Sequence, residues 1–259
     1  MGRGRLIFVT YADGTYERNY RWNSFFAKYF MGADNCLFFS RSDLVKTTIY
    51  REHRAVFDAE RGKGYWAWKP YCILEAMKTA NPGDVVVYQD CGRGWRYKSF
   101  LRPSRLLDEA RRVDFIAGVS SPQYGPNRKW NHRTCLQAMG DGSSQYEDTP
   151  TIEAVVSFWT LCDASIAFVS EWLSFCLQFD VIRDPTIEEA KQQHPEFVEH
   201  RYDQAILTNL VIRRNAPVLK PKQNLSRLGK SITMLEMDLR SRNNGIYRVL
   251  VWFILKLRA

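Results

Sequence analysis

The stretch "GYWAWKPYCILEAMKTANPGDVVVYQDCG", residues 64–92, carries the pattern that decides the fold. Lys69-Pro70 opens a helical run, "YCILEAM". Proline suits the first helical turn, because its missing N–H would be unpaired there anyway. "NPGD" (81–84) is a turn. "VVVYQD" (85–90) then reads as a strand buried on both faces, as parallel strands are.

Upstream, "RLIFVTY" (5–11) and "NCLFFS" (35–40) are short β-rich runs. Between them, 19–32 has apolar residues at helical spacing and closes on Gly32. Residues 42–60 look helical and charged. Downstream, helices are expected over 104–112, 164–179 and 200–214, and strands over 114–120 and 151–160. This order predicts an α/β fold, a mainly parallel sheet flanked by helices. Residues 121–150 are polar, and a stretch this long in a compact domain is more often functional than idle. A boundary is expected near residue 222. It separates a domain over 1–222 from a basic, apolar tail over 223–259.

The 259 residues are 45% hydrophobic, enough for a sizeable core. The net charge of +9 favours an anionic partner: nucleic acid, an acidic membrane surface or a phosphorylated small substrate. None of the six cysteines forms a CxxC pair, which points to a reducing compartment. The apolar run near the N-terminus is shorter than a signal-peptide core. No segment reaches the ~20 apolar residues of a membrane span. A cytoplasmic protein is expected. Its tail, "SRNNGIYRVLVWFILKLRA", either closes the domain as a core helix or lies amphipathically on an anionic membrane surface.

Ligands of open α/β sheets bind outside the carboxyl ends of the strands. Asp90 stands at such an end, placed to hold a divalent cation or a ribose hydroxyl. Gly92 lets a ligand approach the backbone. Asp and Gly after a strand are also common turn formers. Lys69 adds a positive side chain to the positive end of a helix, and a phosphate would answer both. Trp66 and Trp68 serve as core anchors or as stacking walls. In "HRYDQAIL", the spacing turns Asp203 partly toward the core, where a carboxylate needs a metal, a cation or a hydroxyl. His200 reads as structural. Glu153 interrupts an apolar strand; it is a general base, a sugar-hydroxyl binder, or a residue on the solvent face of an edge strand.

In order, "GYWAWKPYCILEAM", "VVVYQDCG", "TPTIEA", "FVSEWLSFC" and "HRYDQAILTNL" resemble blocks of small bacterial and viral glycosyltransferases with a GT-A fold, over roughly residues 5–215. The resemblance implies a nucleotide-sugar donor, a glycan or lipid-linked acceptor, and work in surface polysaccharide assembly, such as lipopolysaccharide or capsule. It places Thr10, Tyr11 and Asp13 at the nucleoside, and Asp203-Gln204 near the donor sugar or the acceptor hydroxyl. The metal-binding DxD motif of such enzymes falls on Asp90-Cys91-Gly92, so the second carboxylate is missing. One carboxylate plus diphosphate oxygens would still complete a magnesium or manganese shell. Two other readings remain: a basic, aromatic nucleic-acid-binding module, and a sugar nucleotidyltransferase on the same fold. Acids inside the motif blocks, and basic residues that form no stripe, argue against nucleic acid as a partner.

Overall fold

The computed structural model describes residues 4–91, 103–139 and 143–220. Gly92, the boundary near 222 and the tail over 223–259 lie outside the described residues. The described chain is an α/β structure whose main sheet has the order β2-β1-β3-β7-β4. The strands are β1 (Leu6–Ala12), β2 (Asn35–Ser40), β3 (Val85–Gln89), β4 (Phe115–Ile116) and β7 (Val156–Thr160). β1 pairs in parallel with β2 and β3, while β7 runs antiparallel to both β3 and β4. Four of the five strands therefore point the same way.

The alternation of side chains fills two cores. Ile7, Val9, Tyr11, Val86 and Tyr88 face one layer, built from α2 (Trp68–Met77), α4 (Asp163–Cys176) and α5 (Tyr202–Arg214). Leu6, Phe8, Val85 and Val87 face the other, against Ala27, Met31, Leu107 and Ala110 from the regions of α1 (Tyr20–Phe26) and α3 (Pro103–Arg112). Buried on both faces, β1 and β3 have no room for polar alternation, which is why they read as apolar runs. Asp84 locks their starts together. It accepts from the Arg5 backbone at 2.7 Å, from Arg5 Nη2 at 2.7 Å and from the Asn81 backbone at 2.9 Å. At the other end, Thr10 Oγ1 donates to the Gln89 carbonyl at 2.6 Å. The carboxyl ends of the two strands are thus held level.

Four expectations need correction. The expected strand over 114–120 divides at Gly118 into β4 and β5 (Val119–Ser120). That over 151–160 divides into β6 (Ile152–Glu153) and β7, with β5 and β6 pairing as a separate two-stranded sheet. A Cβ at Gly118 would stand 2.7 Å from the Glu153 carbonyl, so glycine is needed for this close crossing. The run over 42–60 folds as three short helices, Arg41–Leu44, Thr48–Glu52 and Arg54–Phe57, rather than one. β3, expected between parallel neighbours, has an antiparallel one in β7. Among the described residues, no helix is long and apolar enough to cross a membrane.

Candidate active site

At the carboxyl ends of β1 and β3 a cavity of about 520 Å³ opens. Tyr11, Asp13 and Tyr16 line it from the end of β1, and Asp90 and Cys91 from the end of β3. Gly62, Lys63, Trp66 and Trp68 close the remaining wall. The strand end is pinned from α1 and the turn before it: Asn19 Nδ2 donates to the Cys91 carbonyl at 3.1 Å, and Asn23 Nδ2 reaches Cys91 Sγ at 3.1 Å. Tyr11 stacks on Trp68 with ring centroids 3.9 Å apart and planes 17° from parallel. Burial pushes the Tyr11 hydroxyl well above its ordinary pKa, so the wall stays neutral. A larger groove of about 680 Å³ lies between α2 and α4. It is lined by Leu74, Ile166 and Leu173 among others and holds none of the candidate site residues.

Beneath Asp90 lies a buried ionic triad. Lys69 Nζ is 3.0 Å from Asp203 Oδ2 and 3.4 Å from Asp90 Oδ1. Lys69 and Asp203 are each only 3% exposed, whereas the Asp90 side chain is 34% exposed. The Tyr88 hydroxyl donates to the same Asp90 Oδ1 at 2.7 Å, and the Lys69 ammonium sits 5.5 Å from the Tyr88 ring centroid. Burial disfavours the charged lysine, but Asp203 and Asp90 together outweigh it and hold its pKa above the ordinary lysine value. Burial pushes the Asp203 carboxyl up to about 6 against the opposing pull of Lys69. The triad sets two carboxylates against one ammonium, and Asp90 is the member that lines the cavity. Its second oxygen, Oδ2, makes no hydrogen bond or ion pair among the described residues.

The structure brings Tyr11, Asp13 and Asp90 to one cavity, with Lys69 and Asp203 directly behind Asp90. Lys69 points into the core and answers two carboxylates, not the open rim. Thr10 is fully buried and bonded to β3, outside the lining. Gln204 reaches Thr151 Oγ1 at 3.4 Å, and Glu153 is hydrogen-bonded by the Ser121 hydroxyl. Neither of them lines the cavity.

Sequence reasoning missed three features. Tyr88 shares a strand face with Asp90 by the two-residue period, which was a usable signal. Lys63, between two glycines, was passed over. His132 and His200 form a buried pair with ring centroids 4.0 Å apart. His132 Nδ1 accepts from the Cys135 backbone and His200 Nδ1 from the His132 backbone. Both rings therefore carry their proton on Nε2. Burial pushes the His132 pKa down to about 4 and His200 well below its ordinary value.

No family model matches the chain, and no curated protein matches it. Among solved structures it is similar to mouse xyloside xylosyltransferase 1 in its apo form. The identity is 12% and the TM-score 0.43, covering 83% of this chain and 84% of the other. It is also similar to the galactosyltransferase LgtC in complex with donor and acceptor sugar analogues. There the identity is 14% and the TM-score 0.36, covering 79% of this chain and 70% of the other. Neither likeness is close enough to carry a residue's role to this chain.

Proposed function

We propose that this protein is a glycosyltransferase. It moves a monosaccharide from a nucleoside diphosphate sugar to a hydroxyl of a glycan or glycolipid acceptor, in the assembly of a surface polysaccharide. The supporting observation is the cavity at the carboxyl ends of β1 and β3, in which an aromatic wall stands beside two carboxylates, Asp13 and Asp90, the second backed by a buried ion pair.

Each part has a task in this reading. Tyr11, Trp66 and Trp68 offer flat apolar surface for a base or a sugar ring. Asp13 accepts hydrogen bonds from ribose hydroxyls, which a carboxylate at a strand end is suited to do. Asp90 would hold a divalent cation, magnesium or manganese. The donor set fits such an ion only when the diphosphate completes it, because no cluster of three acidic, cysteine or histidine ligands occurs among the described residues. When bound, the cation would neutralise charge on the leaving diphosphate. Lys69 and Asp203 act behind Asp90. Their ion pair leaves Asp90's charge directed at the cavity, and Asp203 positions Lys69 rather than touching the sugar. Gln204 follows Asp203 at the start of α5 and holds the 151 loop against it. Residues 223–259, basic and apolar, would keep the enzyme near a lipid-linked acceptor on the cytoplasmic face of the membrane.

The test is a screen of nucleotide sugars read by product mass, run with wild type and Asp90→Asn. One donor should be consumed by wild type, and Asp90→Asn should lose on the order of a hundredfold in rate with its unfolding midpoint nearly unchanged. A variant that transfers sugar as fast as wild type would remove Asp90 from the account.

A further inference from the structure

We infer that Lys63, aimed by a left-handed turn over Gly62–Trp66, is the side chain that meets the phosphates of the ligand in this cavity. This rests on the functional reading above and adds a side-chain cation to the metal ion which that reading places at Asp90.

The turn is unusual for L-residues. Gly62, Lys63, Gly64, Tyr65 and Trp66 all have positive φ, at 58°, 51°, 105°, 51° and 59°. Three of the five carry a Cβ, which this region of backbone space disfavours. Such conformations persist only where the surroundings hold them, and they gather at ligand clamps and active sites.

Here the surroundings do hold them. A Cβ on Gly62 would stand 2.3 Å from the Trp66 ring, so the indole lies directly on the glycine. Gly64 backs onto Phe57, whose Cα would be 3.0 Å from an added Cβ. Trp68 Nε1 donates to the Gly62 carbonyl at 3.0 Å. Tyr65 stacks on Tyr202 with centroids 5.1 Å apart, and Arg61 Nε donates to the Tyr202 hydroxyl at 3.0 Å. The turn is fixed from several sides, and what it presents to the cavity is Gly62, Lys63 and Trp66.

Charge singles out Lys63. Among the described residues that line the cavity, the acidic and basic side chains are Asp13, Asp90 and Lys63. A phosphate entering beside two carboxylates needs a cation of the protein's own. Lys69 cannot supply it, being buried and committed to Asp90 and Asp203. Lys63 is 54% exposed, and its ion partner is Glu60 at 3.0 Å, itself 93% exposed. A pair so open to water is weak, and its ammonium exchanges partners without leaving solvent.

The experiment is calorimetric titration of nucleoside diphosphates bearing each common base, and of the matching nucleosides, in magnesium buffer. Wild type, Lys63→Met and Lys63→Arg are compared, and circular dichroism checks that each is folded. Wild type should bind one diphosphate more tightly than its nucleoside. Lys63→Met should weaken the diphosphate by about tenfold to a hundredfold, the range of a lost charge-assisted hydrogen bond, and leave the nucleoside unchanged. Lys63→Arg should restore most of the loss. If Lys63→Met holds the diphosphate as tightly as wild type does, Lys63 is not the phosphate ligand, while the functional reading survives. If wild type itself binds no diphosphate, the functional reading fails and takes this inference with it.

Discussion

Two regions meet at the cavity and are held by opposite means. Behind Asp90, the Lys69–Asp203 pair is buried and in ionic contact at 3.0 Å; its cost is desolvation. Across the wall, the turn over Gly62–Trp66 is solvated in part and carries its cost in backbone strain. Residues 202 and 203 join the two. Tyr202, itself at φ 50°, packs against Tyr65 and Trp66, and the next residue reaches Lys69. A site assembled this way keeps its charge where burial makes it strong, and its exposed cation where water lets it exchange partners.

The largest expected effect breaks the buried side. Lys69→Met removes the cation between two carboxylates and leaves Asp203 buried and unpaired. Unfolding in urea should show a loss of about 3–5 kcal/mol, the range for removing one partner of a buried pair. Adding Asp203→Asn in the same chain should recover part of that loss, because the stranded charge goes with it. A double variant no more stable than Lys69→Met alone would show that the pair is held by something other than its charges.

A second test acts on the strained side. Gly64→Ala places a Cβ at φ 105°, a region essentially closed to L-residues, 3.0 Å from the Phe57 backbone. It should cost about 1–3 kcal/mol. Diphosphate affinity should fall as well, since Lys63 is the next residue. Loss of stability with affinity intact would mean that the turn does not aim Lys63.

These two regions were not equally legible in the sequence. Asp90 follows from its place at the end of an apolar run, because strand ends are where open α/β sheets bind ligands, whereas Tyr11 and Asp13 are implied only by the resemblance to GT-A enzymes. Asp203 was legible as a carboxylate turned toward a core, but not its partner. Lys69 and Asp203 are brought together only by the packing of α2 and α5 in one layer, and no local pattern encodes a tertiary pairing of that kind. Lys69 at a helix start looked like a phosphate ligand because the dipole argument weighs only its own element. The left-handed turn left a trace, "GKG" at 62–64, since glycines flanking one residue permit positive φ. The strands over 114–120 and 151–160 were misjudged for a different reason. Each serves two sheets in succession, and apolar residues are required on both sides of the switch. Only Gly118 marks the crossing.

The smallest expected effect is a pH dependence in which the two sides pull apart. His200 packs edge-on against the Tyr202 ring with centroids 5.5 Å apart, on the side of the strained turn. The groups affecting the histidine pair are Glu189, Arg183 and Asp184 around His132, and His132 itself for His200. Because burial depresses both histidines, the unfolded chain takes up their protons first as pH falls below about 6.5. Stability from this source is therefore full above that pH and drains away toward about 4, the value of His132. Asp203 behaves in the reverse sense. Its carboxyl, raised to about 6, binds a proton in the folded state before the unfolded chain does, so acidification through that range adds stability. Two histidines against one aspartate leave a net loss, on the order of 1 kcal/mol per pH unit near pH 6. Thermal unfolding measured from pH 7.5 to 5 should show the midpoint falling. In Asp203→Asn the fall should be steeper, because the opposing group is gone. A midpoint that rises on acidification in wild type would show that the histidine pair is not held neutral in the core.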